Sequence, residues 1–380
     1  MIPPPVLPPA VRAAFHMLRG QPAPNLSPAE WDELLAFTDR TQLTLHLLGV
    51  PGLPGPVQQQ IAARRARNLA RRERLGEEYA RVARALQASG IPFVVLKGFT
   101  HEVGFGIDPS LRVQYDLDLL CRPSDLPAAH ESLRAAGYRP HGEKRLSAEH
   151  SRPLVRPFDW RWRGDYFDPG MPAAVELHGS LWDSAHDRIA VNESALWDRR
   201  EWLDTGGLRV PALDEDARFD FAALHLLRHV LRNDARPAHA FELAQLLRTR
   251  PLGRRGVLES AGFRFAAEWF GTPYHADLPP GVESWFCDFA WSPIANLVRP
   301  NKDAIWLHLA LLGGWRDRAH VLAHRLTPFR LPHPQSGFGE RLRYHAGAFA
   351  PALWSGLRWW RRRAAASTAA QISDWNRRSV

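Results

Sequence analysis

At 380 residues the chain is too long for one small core and is expected to hold more than one domain. With 45% hydrophobic and 23% charged residues it has the composition of an ordinary globular protein, and no stretch is long and uncharged enough to span a bilayer, so no transmembrane segment is expected. Two cysteines, Cys121 and Cys287, exclude a disulfide framework and fit a reduced, cytoplasmic compartment, while a formal net charge of +9 favours anionic partners without choosing among nucleotides, nucleic acid and acidic membrane.

An Arg- and Ala-rich composition follows equally from a GC-rich genome. The 15 Trp residues, mostly in the second half, suggest a well-filled helical region. Residues 1–10 are proline-rich and do not read as a secretory signal.

The first ninety residues read as helices. Ser27-Pro28-Ala29-Glu30 supplies an N-cap, a proline at the first helical position and a capping-box glutamate. A second helical pattern runs over about 57–89 and ends at Gly90. The period then changes: residues 91–96 form an apolar run between Gly90 and Gly98, read as a buried strand. Residues 116–121 are a second predicted strand. Ser124 is expected to cap a helix over 125–136 that Gly137 closes. Residues 158–166 alternate aromatic and polar side chains and are expected to pair antiparallel with 173–177 across Pro169-Gly170. Beyond 185 the reading is helical. Asp214 caps a helix to Leu231, a second covers 238–247, loops occupy 271–280 and 331–339, and a last helix spans about 340–363.

The chemistry centres on Asp116-Leu117-Asp118. In a strand, residues two apart share a face, so both carboxylates project together while Leu117 enters the core. Like charges side by side are unfavourable unless a cation compensates them. Hard divalent ions take one or two carboxylates plus substrate phosphates, and a pair of them about 3.5–4 Å apart can serve both the attacking and the leaving oxygen. Glu176, apolar-flanked on a predicted strand, is the best candidate for a third carboxylate. His178 shares its face and could orient an acid, touch an acceptor or be structural.

Leu96-Lys97-Gly98, Arg112, Asp116-Leu117-Asp118-Leu119-Leu120, a helix ending at Gly137-Tyr138 and Val175-Glu176-Leu177-His178, in that order, resemble the uncharacterised nucleotidyltransferase family of bacteria. That family is a branch of the polymerase-beta-like nucleotidyltransferase superfamily. The resemblance is strong over about 90–180 and looser to about 250. It implies an α+β fold, with a small mixed-sheet nucleotidyltransferase core at 90–185 between an N-terminal helical region (1–89) and a C-terminal helical domain (186–380). It also implies metal-dependent transfer of a nucleoside monophosphate from an NTP, expected to be ATP, to an unidentified hydroxyl-bearing acceptor: a small molecule, peptide, protein or RNA.

In that reading Mg²⁺ or Mn²⁺ is held by Asp116, Asp118 and Glu176, which are also the catalytic residues, and Lys97, Gly98 and Arg112 bind nucleotide. The superfamily places Gly-Ser in the first turn, whereas Gly98 is followed here by Phe99 and Thr100. Arg112 could contact phosphate or pair with the acids. His225 and His229, four apart on one helical face, suggest a wall of the substrate cleft; a metal role would need further ligands. Residues 358–363 mix Arg with Trp and read either as a solvated terminal helix or as an anion-binding segment. The rival to an enzyme is a non-catalytic protein of the same fold that binds nucleic acid, or another anionic partner, through its basic surface.

Overall fold

The computed structural model describes residues 7–142 and 151–326, together with 337–340, 342–343, 346–347, 353–357 and 359–361. Three helices open the chain: α1 (Pro9–Leu18), α2 (Pro28–Arg40) and α3 (Gly55–Ala88). Ser27 and Glu30 form the expected capping box, with the Glu30 carboxylate accepting from the Ser27 amide at 2.8 Å. After α3, Gly90 takes φ +66°, the left-handed residue that turns the chain into the sheet. Leu75, Tyr79, Val82 and Leu86 recur at helical spacing on one face of α3 and join Val95, Leu117 and Leu119 in one buried cluster.

The sheet comprises β1 (Phe93–Val95), β2 (Asp116–Cys121), β3 (Arg139–Pro140), β4 (Leu154–Val155), β5 (Ala174–His178), β6 (Arg200–Thr205) and β7 (Leu208–Leu213), with α4 (Leu126–Ala135) between β2 and β3. Its order is β3-β4-β5-β2-β1-β7-β6. β1 runs antiparallel to β2 and parallel to β7, and β2 runs parallel to β5. Alternation along β2 sends Leu117, Leu119 and Cys121 to the α3 side. Leu120 packs on the opposite side, with Leu213, Ala217 and Phe221. Asp116 and Asp118 therefore face the helices that follow the sheet.

Two short helices, α5 (Ser184–Asp187) and α6 (Ser194–Trp197), precede β6. After β7 come α7 (Glu215–Leu231), α8 (Pro237–Thr249), α9 (Val257–Phe270), α10 (Pro280–Phe289), α11 (Ser292–Asn296), α12 (Ala304–Leu311) and α13 (Trp315–Leu326). Asp214 caps α7 by accepting from the Ala217 amide. The first helices share the core of the later ones: Phe15 of α1 lies 5.3 Å from Phe270 and 5.1 Å from Trp291. The mixed α/β architecture is as the sequence implies. Among the described residues no helix is long and apolar enough to cross a membrane.

Several local expectations differ. Residues 158–166 form no strand; β5 instead pairs with β4 at Leu154 and with β2, so both its edges are taken. The aromatics of that segment pack edge to face on one another, Trp162 with Tyr166 at 4.9 Å, and Trp160 donates to Asp168 at 2.7 Å. Ser124 does not cap α4: the N-cap is Asp125, and the Ser124 hydroxyl donates to its carboxylate. The stretch after 185 is not helical throughout, because 200–213 forms a hairpin in the sheet. Near the end, Trp359 is buried against Trp306 while Trp360 is exposed. Arg358, Arg362 and Arg363, and most of the 331–339 loop, lie outside the described residues.

Candidate active site

Parallel pairing of β2 with β5 sets Asp118 opposite Glu176 and Asp116 opposite Ala174. Neighbours in register point to the same face, so Asp116, Asp118, Glu176 and His178 converge on the helical side of the sheet. Asp118 is the most constrained. Its Oδ2 lies 2.9 Å from Nζ of Lys97, and its Oδ1 accepts from Nε2 of His178 at 2.9 Å. Burial pushes the Asp118 carboxyl up, but Lys97 and His178 outweigh it and hold the group well below the usual carboxylate range.

The other two acids shift the opposite way. Burial, then repulsion from Asp118 and Asp116, pushes Glu176 up to about 7. Burial and the Asp118 charge likewise raise Asp116. Two unit charges about 5 Å apart at an effective dielectric of about 20 repel by about 3 kcal/mol. One lysine cannot offset three ionised carboxylates, and the remaining negative charge suits a divalent cation. Two oxygen donors lie close enough to share such an ion: carboxylate atoms of Asp118 and Glu176 are within 4.8 Å of each other, with a ring nitrogen of His178 in the same group. Asp116 shares their face but stands outside that compact group.

Lys97 follows β1 and reaches Asp118 on one side and Nε2 of His225 on the other, at 3.3 Å. Gly98 adopts φ +66°, and an added Cβ would fall 2.2 Å from Nε2 of Gln114. That open space lets Gln114 cross the turn and donate to the Asp116 carbonyl at 2.7 Å. Phe99 and Thr100 are fully buried, and the Thr100 hydroxyl donates back to the Lys97 carbonyl at 3.4 Å. The turn thus offers backbone and Lys97, with no hydroxyl in the place of the superfamily serine.

Arg112 pairs with none of the three acids. Its Nε lies 2.9 Å from Oε1 of Glu242 on α8, whose other oxygen contacts Nδ1 of His101 at 2.7 Å. Burial pushes Glu242 up, but Arg112 and His101 outweigh it and hold it low. Arg112 still borders a narrow cavity, which Lys97, Gly98, Asp116, Gln42 and His239 also line. A larger cavity between α3 and residues 156–173, lined by Arg71, Arg74 and Arg81, contains none of the three acids.

His225 and His229 lie on α7 with their Nε2 atoms 3.1 Å apart, and His239 from α8 completes a cluster. Burial lowers all three, His229 to about 4, so the rings are neutral near pH 7. Sequence reasoning missed His239, Glu242, Gln114 and Arg236. Arg236 precedes α8 and is half-exposed, and its charge acts on Asp116 and Glu176. Gln114 lies two residues before Asp116, whereas His239, Glu242 and Arg236 have no local spacing to the acids and reach them because α8, with the residue before it, crosses the sheet.

A mixed sheet with paired carboxylates on adjacent parallel strands is the architecture expected of a nucleotidyl-transfer fold. Residues 27–264 match the family described as uncharacterised nucleotidyltransferase, and the chain belongs to that family. No curated protein and no solved structure matches it.

Proposed function

We propose that the protein moves a nucleoside monophosphate from an NTP, with ATP the expected donor, to a hydroxyl-bearing acceptor, using Mg²⁺ or Mn²⁺ held by Asp116, Asp118 and Glu176. The register of Asp118 with Glu176, and Asp116 two residues away, carries this reading. The bound ion would neutralise triphosphate charge and favour the ionised acceptor oxygen. The acceptor oxygen attacks the α-phosphorus, a new P–O bond forms, and the bond to the bridging oxygen breaks to release pyrophosphate.

The chain's own groups divide the remaining work. His178 and Lys97 fix Asp118 in its rotamer. Asp118 and Glu176, as ligands of the ion, would hold it beside the acceptor oxygen and so assist loss of the acceptor proton. The Lys97 ammonium and the backbone of Gly98 face incoming phosphate oxygens. Because Arg112 is committed to Glu242, the half-exposed Arg236 is the better second phosphate partner. A cytoplasmic setting, where nucleoside triphosphates are made, fits this chemistry.

One observation favours the non-catalytic reading: Phe99 and Thr100 present no hydroxyl at the phosphate turn. Incubation of the chain with each labelled NTP, Mg²⁺ and a cell extract separates the two. Label in a defined fraction is expected. No label from any NTP, with polynucleotide bound instead, would overturn transfer.

A further inference from the structure

We propose that His225, His229 and His239 form a binding site for a divalent transition-metal ion of the zinc class, distinct in its ligands from the carboxylate site. Three imidazoles with ligand atoms within 4.8 Å of one another are one coordination shell's worth of donors. Zinc–nitrogen bonds of roughly 2.0–2.1 Å at tetrahedral angles set ligand nitrogens roughly 3.3 Å apart. Nε2 of His225 and Nε2 of His229 are already 3.1 Å apart. The spacing of four on α7 sets these two on one face, and His239 enters from α8 with its ring 4.8 Å from that of His225.

The proton count points the same way. Nδ1 of His229 lies 3.2 Å from the Asp234 carboxylate, which accepts only, so the neutral ring carries its proton on Nδ1. Nε2 of His229 is then a lone pair. Nε2 of His225 faces the Lys97 ammonium, which donates only, so it is a lone pair too. Two lone pairs facing each other at 3.1 Å repel, and an ion bound by both would take the His225 lone pair in place of the Lys97 ammonium. Nδ1 of His239 is buried with no hydrogen-bond partner among the described residues. Asp234 also supplies the carboxylate that commonly orients a metal-bound imidazole.

Donor chemistry separates the two sites. Neutral imidazole suits zinc, copper and nickel, whereas Mg²⁺ takes oxygen ligands. Three protein ligands leave a fourth position for water or substrate. Lys97, in contact with both His225 and Asp118, stands between the two ligand sets.

The test uses the full chain, stripped of metal and titrated with Zn²⁺ against a chelating dye in excess Mg²⁺. One tightly held equivalent is expected. His239→Gln and His229→Gln should each weaken it by at least about tenfold, and Glu176→Gln, which removes an acid of the carboxylate site without touching Lys97, should leave it unchanged. Absence of stoichiometric Zn²⁺ binding overturns the proposal, as does binding that survives His239→Gln and is lost in Glu176→Gln. Should a histidine variant not fold, X-ray absorption at the zinc edge of the wild-type chain decides. Three nitrogen scatterers at roughly 2.0 Å are expected, and a shell of oxygens alone overturns it. Because the readout is Zn²⁺ retention, loss of nucleotidyl transfer would not affect it.

Discussion

Nζ of Lys97 sits 2.9 Å from Oδ2 of Asp118, a buried ion pair that ties the turn after β1 to the middle of β2. The pair makes the two aspartates unequal. Asp118 has a cation and an imidazole beside it, whereas Asp116 meets mainly burial and the Asp118 charge.

Asp118→Asn and Asp116→Asn should therefore differ in stability while both abolish transfer. Breaking one side of a buried pair typically costs about 3–5 kcal/mol, because the remaining charge stays buried. Asp118→Asn should lower the melting temperature of the metal-free protein. Asp116→Asn removes a repulsion and should hold or raise it. Thermal melts in EDTA check this; equal losses in both variants would contradict the asymmetry.

What could be read ahead was local. β2 was legible to the residue, since acidic and apolar positions alternate with a period of two. The caps at Ser27 and Asp214 were legible for a similar reason: their hydrogen bonds span only three residues. The register of Asp118 with Glu176 was not, because it joins residues far apart in sequence. The hairpin at 200–213 did carry a signal, Gly206-Gly207, both at positive φ in a two-residue turn. Its parallel pairing with β1 carried none. The aromatic alternation of 158–166 misled because surface rings packed edge to face on one another show the same period as a strand. Arg112 was read toward phosphate, but its partner Glu242 lies far along the chain on α8.

Acid should destabilise the fold through its buried histidines. His308 is buried, donates from Nε2 to the Asp187 carbonyl at 2.7 Å, and is lowered to about 4 by burial and then by Arg325. In the unfolded chain it titrates near 6.5. Between pH 6.5 and 4 the unfolded state binds the extra proton, so stability is present above 6.5 and is lost as pH falls toward 4. One such histidine accounts for roughly 3 kcal/mol over that window. Glu176 and Asp220, raised to about 7 and about 6, act in the opposite sense, so the contribution is isolated by difference. His308→Gln should melt with a smaller drop between pH 7 and pH 5 than the wild-type chain. An identical drop would mean His308 does not couple to folding.

The helix carrying His225 and His229 is pressed against α9 at a point where no side chain fits. A Cβ on Gly262 would lie 2.2 Å from the Ala223 carbonyl oxygen and 2.7 Å from its carbon, both backbone. Gly262→Ala must therefore push α9 away from α7, at a cost of about 1–3 kcal/mol. Gly253→Ala, which meets nothing within 4 Å, is the control and should leave stability unchanged or slightly raised. Denaturant midpoints measure both. A Gly262→Ala midpoint equal to that of the control would show that the helices separate at no cost.

Nucleotide binding should depend on divalent metal and on Glu176. A triphosphate approaching Asp116, Asp118 and Glu176 meets one buried and two half-buried acids with Lys97 as the near cation and Arg236 at the margin. Repulsion of about 3 kcal/mol for each close pair of charges exceeds what one half-exposed arginine returns. A cation shared between protein and phosphate reverses the sign. A ligand bound only to the native state stabilises it by about 2.7 kcal/mol at a hundredfold excess over its dissociation constant. Melts with ATP alone and Mg²⁺ alone should shift little, and the two together should shift strongly. Glu176→Gln should weaken the combined shift, because the amide keeps the shape of the acid and removes the charge that holds the ion. A nucleic-acid-binding protein would instead show little difference among these conditions and a preference for polynucleotide that fades with salt. If ATP shifts the melt equally in EDTA, the metal-bridged mechanism fails.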